Sequence, residues 1–221
     1  MRQPLFGLLN IRPFLKSTLR FAAISLALTV TAAAAQAQTL PALPTVSQPI
    51  AKVGSAKPIM GWVRFCEQNP AECAVDPSEP ATINLTPNDW QTLIRVNRQV
   101  NAAIKAKTDQ DHWGVEDRWD FAEDGYGDCE DYQLVKRKLL VGAGFSRRAL
   151  RMAVVIDEEG AGHAVMMVRT DRGDFVLDNK RNAILPWHRT GYAYVKREGD
   201  EGSTWASLGG TFSSPTATAG R

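Results

Sequence analysis

Cysteine and histidine are both scarce, three of each in 221 residues, and no cluster of them shows the short spacings of a zinc site. No run is long enough to cross a bilayer comfortably: the uncharged apolar stretch from Phe21 to Ala35 is 15 residues, below the ~18 to 20 that a spanning helix needs. A basic surface is missing as well. The formal charge of +2 depends on Arg2, Arg12, Lys16 and Arg20, the only charges before Gln38; without them 22 Lys and Arg face 24 Asp and Glu, a formal charge of −2. No stripe remains to suggest a nucleic-acid partner.

What is there begins with an export signal. Four basic residues precede the apolar run, and Ala35-Gln36-Ala37 supplies the small-x-small pattern of a signal-peptidase site. Residues 1–37 therefore read as a signal peptide, and the expected location is the periplasm. Residues 38–58, rich in Pro, Ala, Thr and Ser, read as a flexible lead-in. Residues 59–198 read as one domain. From 199 to 221 the composition turns to Gly, Ser, Thr and Ala, which reads as a disordered tail with Trp205 and Leu208 able to dock on the domain.

Within the domain, Thr86-Pro87-Asn88-Asp89 is a helix start with an N-cap, a first-turn proline and an acidic third residue. Trp90, Leu93, Ile94, Val96, Val100 and Ile104 continue it at helical spacing to about Lys107. A second helix is predicted from Asp128 to a stop at Gly142 or Gly144, entered through the glycine-bearing loop Asp124-Gly125-Tyr126-Gly127. Short apolar, β-branched runs follow at 151–157, 163–170, 175–178 and 192–196, separated by glycine turns. Helices first and a meander afterwards make an α+β domain.

In an oxidising compartment, Cys66 and Cys73 can close a short loop, contributing about 2.5 kcal/mol in the chain-entropy model. Cys129 is then the odd thiol. It stands at a loop-to-helix junction, where unsatisfied amides and the positive end of the helix dipole favour a thiolate. The same amides can receive the oxyanion of a tetrahedral intermediate; no second donor is identifiable from the sequence, and neither Trp113 nor Trp119, which lie upstream, is singled out. His163 opens a strand after Gly160-Ala161-Gly162, and Asp178 ends the next strand, so a hairpin can set the two side by side. A cysteine, a histidine and an aspartate in that order point to nucleophile, base and orienting carboxylate. His112 and His188 sit in loops without such company and read as surface or supporting residues.

Gly127-Asp128-Cys129-Glu130-Asp131-Tyr132, Gly162-His163-Ala164 and Leu177-Asp178-Asn179 resemble the three active-site motifs of the bacterial transglutaminase-like cysteine proteinases, the family of LapG-type periplasmic proteases. Trp113-Gly114, Trp119, the pairs Val96-Asn97 and Val100-Asn101, Pro186-Trp187 and Gly191-Tyr192 add to the likeness, which runs over roughly residues 60–197. It implies a papain-like, transglutaminase-type fold and a catalytic triad at Cys129, His163 and Asp178. It further implies a protein substrate in the cell envelope, such as a large adhesin, and control by an inner-membrane receptor. Acyl transfer to an amine uses the same acyl-enzyme and is an alternative, as is a non-catalytic envelope-binding module.

Asp128, Glu130 and Asp131 crowd the thiol, and nearby negative charge raises a thiol pKa. Two readings stand: the acids are ordinary helix N-terminal residues favoured by the dipole, or they hold a divalent cation, for which calcium is the expected structural ion. The resemblance suggests calcium too. The chemistry itself requires no cofactor.

Overall fold

The computed structural model describes residues 42–201 and 204–212; the signal-peptide expectation for 1–37 lies outside them. A short strand, β1 (Gly54–Ala56), leads into helix α1 (Met60–Gln68) and the single turn α2 (Pro70–Cys73). α1 exists because Trp62 and Phe65, three apart, bury one face. The amide of Asn69 ends it by donating to Phe65 O at 2.8 Å. The disulfide Cys66–Cys73 joins α1 to α2 with Cα atoms 5.5 Å apart.

Helix α3 (Pro87–Ala103) starts where its cap signals predict: Thr86 Oγ1 accepts from the Asp89 amide at 3.2 Å, and Asp89 Oδ2 accepts from the Thr86 amide at 3.0 Å. Such a cap contributes about 1 kcal/mol. The helix ends four residues before Lys107 because Ile104 turns extended and the chain enters β2 (Lys105–Ala106), which pairs in parallel with β3 (Tyr126–Gly127). Between these strands lies α4 (Asp109–Trp113), capped by Thr108. Helix α5 (Cys129–Gly142) follows β3 directly.

The remaining strands are β4 (Leu150–Ile156), β5 (Gly162–Thr170), β6 (Gly173–Leu177), β7 (Leu185–Pro186), β8 (Ala193–Glu198) and β9 (Trp205–Phe212). With β1 they form one antiparallel sheet in the order β1-β9-β8-β4-β5-β6-β7. Alternation sends Leu150, Met166, Val168, Phe175 and Leu177 toward α3 and α5. Ala153, Val155, Val165, Met167 and Val176 go to the other face. Both faces are buried, so this α+β domain has its helices on one side of the sheet.

Two boundaries differ from those read off composition. The lead-in is not loose from Pro44 onward: Ile50 packs on the far face of the sheet, and its amide donates to Asp174 Oδ2 at 2.9 Å. Arg172 Nε donates to Pro44 O and Trp187 Nε1 to Gln48 O. The strap passes so close that a Cβ on Gly173, at φ +97°, would meet the Ser47 carbonyl carbon at 2.6 Å. The expected disordered tail is likewise ordered strand over Trp205–Phe212, inserted between β1 and β8. Its small, polar composition hides a strand because the surrounding segments, and not the strand's own bulk, complete the packing. Trp205 meets Trp62 edge-on at 5.6 Å, while Leu208 joins the opposite face. Residues 213–221 lie outside the described part. None of the described helices is long and apolar enough to cross a membrane.

Candidate active site

Cys129 is the first residue of α5, and the site is assembled around that helix start. Asp128 takes the N-cap position with extended backbone angles. Asp131, one turn on, reaches back with Oδ2 to the Asp128 amide at 3.2 Å and with Oδ1 accepts from the Asp120 amide at 2.7 Å. Gly127 is required here, since a Cβ would collide with Asp131 Oδ2 at 2.7 Å. The half-buried Cys129 Sγ accepts from the amide of Ala164, the residue after His163, at 3.3 Å. The helix start is thereby set against the first residues of β5.

The hairpin β5–β6 places His163 beside Asp178: Nε2 and Oδ1 are 2.9 Å apart, and both side chains are buried. Burial alone would raise the Asp178 carboxyl. Hydrogen bonds from His163, from Tyr192 Oη at 2.5 Å and from the Lys180 amide at 3.0 Å outweigh it and hold the group below its usual range. Arg181 Nε lies 3.6 Å from Oδ2. With Nε2 committed to the carboxylate, Nδ1 is the ring nitrogen left for any other partner. All three residues singled out in the sequence thus converge at the α5/β5/β6 junction.

The segment after Asp178 is held from the helical side. Asn101 Nδ2 donates to Asp178 O at 2.9 Å and to Arg181 O at 3.2 Å, and Asn97 Nδ2 donates to Arg181 O and Asn182 O, each at 3.2 Å. Gln133, one turn after Cys129, donates to Ala164 O and to Asn179 Oδ1. The asparagines entered the sequence reading only as matches to a motif, since polar residues next to apolar helical positions carry no signal of their target; Tyr192 entered as a motif match and as the start of the predicted 192–196 strand, with no sign that its hydroxyl meets Asp178. Gln133 carried none at all.

The acids are divided differently from the sequence expectation. Ligand oxygens of Asp109, Asp128 and Glu130 lie within 4.8 Å of one another, whereas both oxygens of Asp131 are taken by backbone amides. Asp109 enters because α4 folds back: its amide donates to Asp128 Oδ2 at 3.2 Å, and its own Oδ2 accepts from the Arg118 amide. Asp109 Oδ1 and Asp128 Oδ1 are buried without a hydrogen-bond partner among the described residues. Burial, with Asp128 adding to it, pushes Glu130 up to about 9, and burial pushes Asp131 to about 8. The Cys129 thiol is driven well up by burial and by Glu130, whose Oε2 lies 3.2 Å from Sγ. An all-carboxylate set with two unmatched buried oxygens fits a hard cation such as calcium.

The other residues weighed from sequence stand apart. His112 Nε2 pairs with Asp124 Oδ2 at 2.8 Å, and His188 Nδ1 meets Ser47 Oγ at 3.1 Å. Trp119 Nε1 donates to Asp117. Trp113 stacks on His112 at 4.0 Å, with the Arg118 guanidinium 3.9 Å from its ring.

Comparison with known proteins gives a coherent result. Three solved structures of Legionella pneumophila LapG are similar. One is 27% identical, covering 53% of this chain and 68% of that chain at a TM-score of 0.46. A calcium-bound form is 25% identical, covering 59% and 75% at 0.47. An EGTA-treated form is 26% identical, covering 53% and 67% at 0.46. No curated protein matches. The sequence profile described as bacterial transglutaminase-like cysteine proteinase BTLCP matches residues 52–212, from the strap before β1 to the last residue of β9, and the chain is therefore a cysteine peptidase belonging to the bacterial transglutaminase-like cysteine proteinase family.

Proposed function

We propose that the protein hydrolyses a peptide bond of an exported or cell-surface protein, with Cys129 as nucleophile, His163 as base and Asp178 as orienting carboxylate. The observation that carries this reading is the His163–Asp178 pair set beside the thiol by the Ala164 amide. Sγ adds to the peptide carbonyl carbon as its proton passes to His163 Nδ1. The carbonyl oxygen, now negative, is received by unsatisfied amides of the first turn of α5. The tetrahedral species collapses, the C–N bond breaks, and the imidazolium gives its proton to the leaving amine. Water then adds to the thioester, losing a proton to His163, and the acid and free thiol are restored. Asp178, ionised throughout, fixes the tautomer and balances the imidazolium.

Calcium belongs to the same reading, held by Asp109, Asp128 and Glu130. When bound, the ion supplies positive charge that stabilises ionised carboxylates beside the thiol and orders the entry to α5. The Cys66–Cys73 bridge supports an oxidising compartment, in keeping with export to the periplasm. Family membership supports a large surface adhesin as substrate and an inner-membrane receptor as regulator. The test is mass spectrometry of periplasmic and surface proteins incubated with the enzyme and with Cys129→Ala. New termini that depend on Cys129 are expected; isopeptide cross-links in their place would turn the assignment to acyl transfer.

A further inference from the structure

Tyr192 stands immediately before β8 and is 0% exposed, with its ring in the far-face cluster of Val155, Val165 and Val176. It meets His163 edge-on, with 5.9 Å between ring centroids. Burial on this scale suits an aromatic ring, but the hydroxyl buried with it needs a partner. The mechanism above assigns that hydroxyl no task.

The hydroxyl has a defined direction. Arg181 Nη2 lies 3.0 Å from Tyr192 Oη, and a guanidinium can only donate. Oη therefore accepts there, and its single hydrogen goes to Asp178 Oδ2, 2.5 Å away. The other carboxylate oxygen is engaged separately: Oδ1 lies 2.9 Å from His163 Nε2 and accepts from the Lys180 amide at 3.0 Å. A carboxylate held at both oxygens cannot turn about its Cβ–Cγ bond, a torsion that is otherwise broad. Burial and the Asp178 charge push the phenol well above its usual range, so the hydroxyl keeps its proton.

Arg181 is itself tied across to the turn that precedes His163. The same Nη2 reaches Glu158 Oε1 between β4 and β5, and the guanidinium lies 5.2 Å from the centre of the Tyr192 ring. Beside it, Lys180 Nζ meets Asp157 Oδ2 at 2.5 Å, and Asp157 Oδ1 accepts from the amides of Glu159 and Ala161 at 2.9 Å each. The turn before His163 and the segment after Asp178 are thus clasped by two adjacent ion pairs.

We propose that Tyr192 is a positioning residue for Asp178: its hydroxyl, aimed by Arg181, locks Oδ2 so that Oδ1 stays on His163 Nε2. Both residues act through Asp178. This role rests on the triad reading and deepens it.

The experiment needs no substrate. Proton NMR at low temperature reads the downfield imidazole N–H that His163 directs at Asp178, assigned by its loss in His163→Gln, and the rate at which it exchanges with water. Circular dichroism verifies folding. Tyr192→Phe keeps the ring and removes only the hydroxyl. Exchange should quicken roughly tenfold, the weight of one hydrogen bond to a charged group. A tyrosine that merely fills the core would leave the rate alone, because phenylalanine fills the same space. Arg181→Met, on a partly exposed side chain, should quicken exchange too, and by less when combined with Tyr192→Phe than alone, since the two act on one oxygen. A rate at or below the wild-type value in Tyr192→Phe, or effects of the two substitutions that multiply in full, would overturn the inference and leave the triad standing. Absence of the resonance in wild type, or its persistence unchanged in Asp178→Asn, would overturn the triad reading first.

Discussion

Glu130 Oε2 lies 3.2 Å from Cys129 Sγ, so the nucleophile and the acidic cluster share one carboxyl group. In the metal-free protein Glu130 is pushed up to about 9, well above the ordinary glutamate value of ~4.3. The folded state then holds a proton that the unfolded state gives up. Stability is fully present below the unfolded value and falls as pH rises toward 9. Calcium bound at this site would replace that proton. Calorimetry near pH ~7 in buffers of different ionisation enthalpy should therefore show proton release on calcium binding, and saturating calcium should flatten the decline of the melting temperature with pH. Binding with no buffer dependence, or no binding at millimolar calcium, would remove the ion from the site. Asp109→Asn should weaken binding and Asp131→Asn should act mainly on helix stability, in line with their different partners.

Cys129→Ala should abolish turnover of a verified substrate, by ~10⁴-fold or more, with the circular dichroism spectrum unchanged. His163→Ala should be nearly as damaging. Asp178→Asn should be milder by about two orders of magnitude, because nucleophile and base remain. The double variants should lose no more than the worse single. Full activity of Cys129→Ala would falsify the assignment.

The protein as recovered from an oxidising compartment should show one reactive thiol before reduction and three after, since Cys66 and Cys73 are bridged and Cys129 is free. Replacing both bridged cysteines by serine should lower the melting temperature by roughly 5 to 10 °C, from about 2.5 kcal/mol of lost chain constraint. Cys129 labelling should be preserved at room temperature. Three thiols titrating without reductant is the contrary result.

A chain ending after Asp200 should fail to fold. The shorter form loses β9 from between β1 and β8, together with the buried Trp205 and Leu208; each large apolar side chain contributes about 1.5 to 3 kcal/mol on burial. Cooperative thermal melting of the shorter form would show that the domain closes at β8.

Legibility in the sequence followed the range of the interaction. The α3 cap and its apolar stripe, the entry to α5 and the strands β4 to β6 are local patterns, and the structure has them within a few residues. The candidate triad was visible because each member sits at an element boundary that turn residues mark. Asp109 was not, since it approaches Asp128 from 19 residues away, through a helix of a single turn and a cap. β9 escaped for another reason: Trp205 and Leu208 serve opposite faces of the sheet, so the strand lacks the alternation that signals one half-buried face.

Helix α3 touches both halves of the site. Asn97 and Asn101 hold the carboxylate segment, and four residues after Asn101 the chain becomes β2; the amides of Lys105, in β2, and of Lys107, just past it, donate to Gly125 O and Gly127 O shortly before Cys129. Tyr132 Oη on α5 closes onto Ile104 O at 2.8 Å. Only Ala102 and Ala103 separate Asn101 from Ile104, where the helix gives way to extended chain, so the two attachments are joined by a short stretch of fixed backbone. It works as a fixed gauge block. One residue added within the last turn of α3, after Asn101, would turn the two attachments by ~100° relative to each other without replacing Cys129, His163 or Asp178. The spacing of the two halves of the candidate site is thus written in a stretch of chain that carries none of its three candidate catalytic residues.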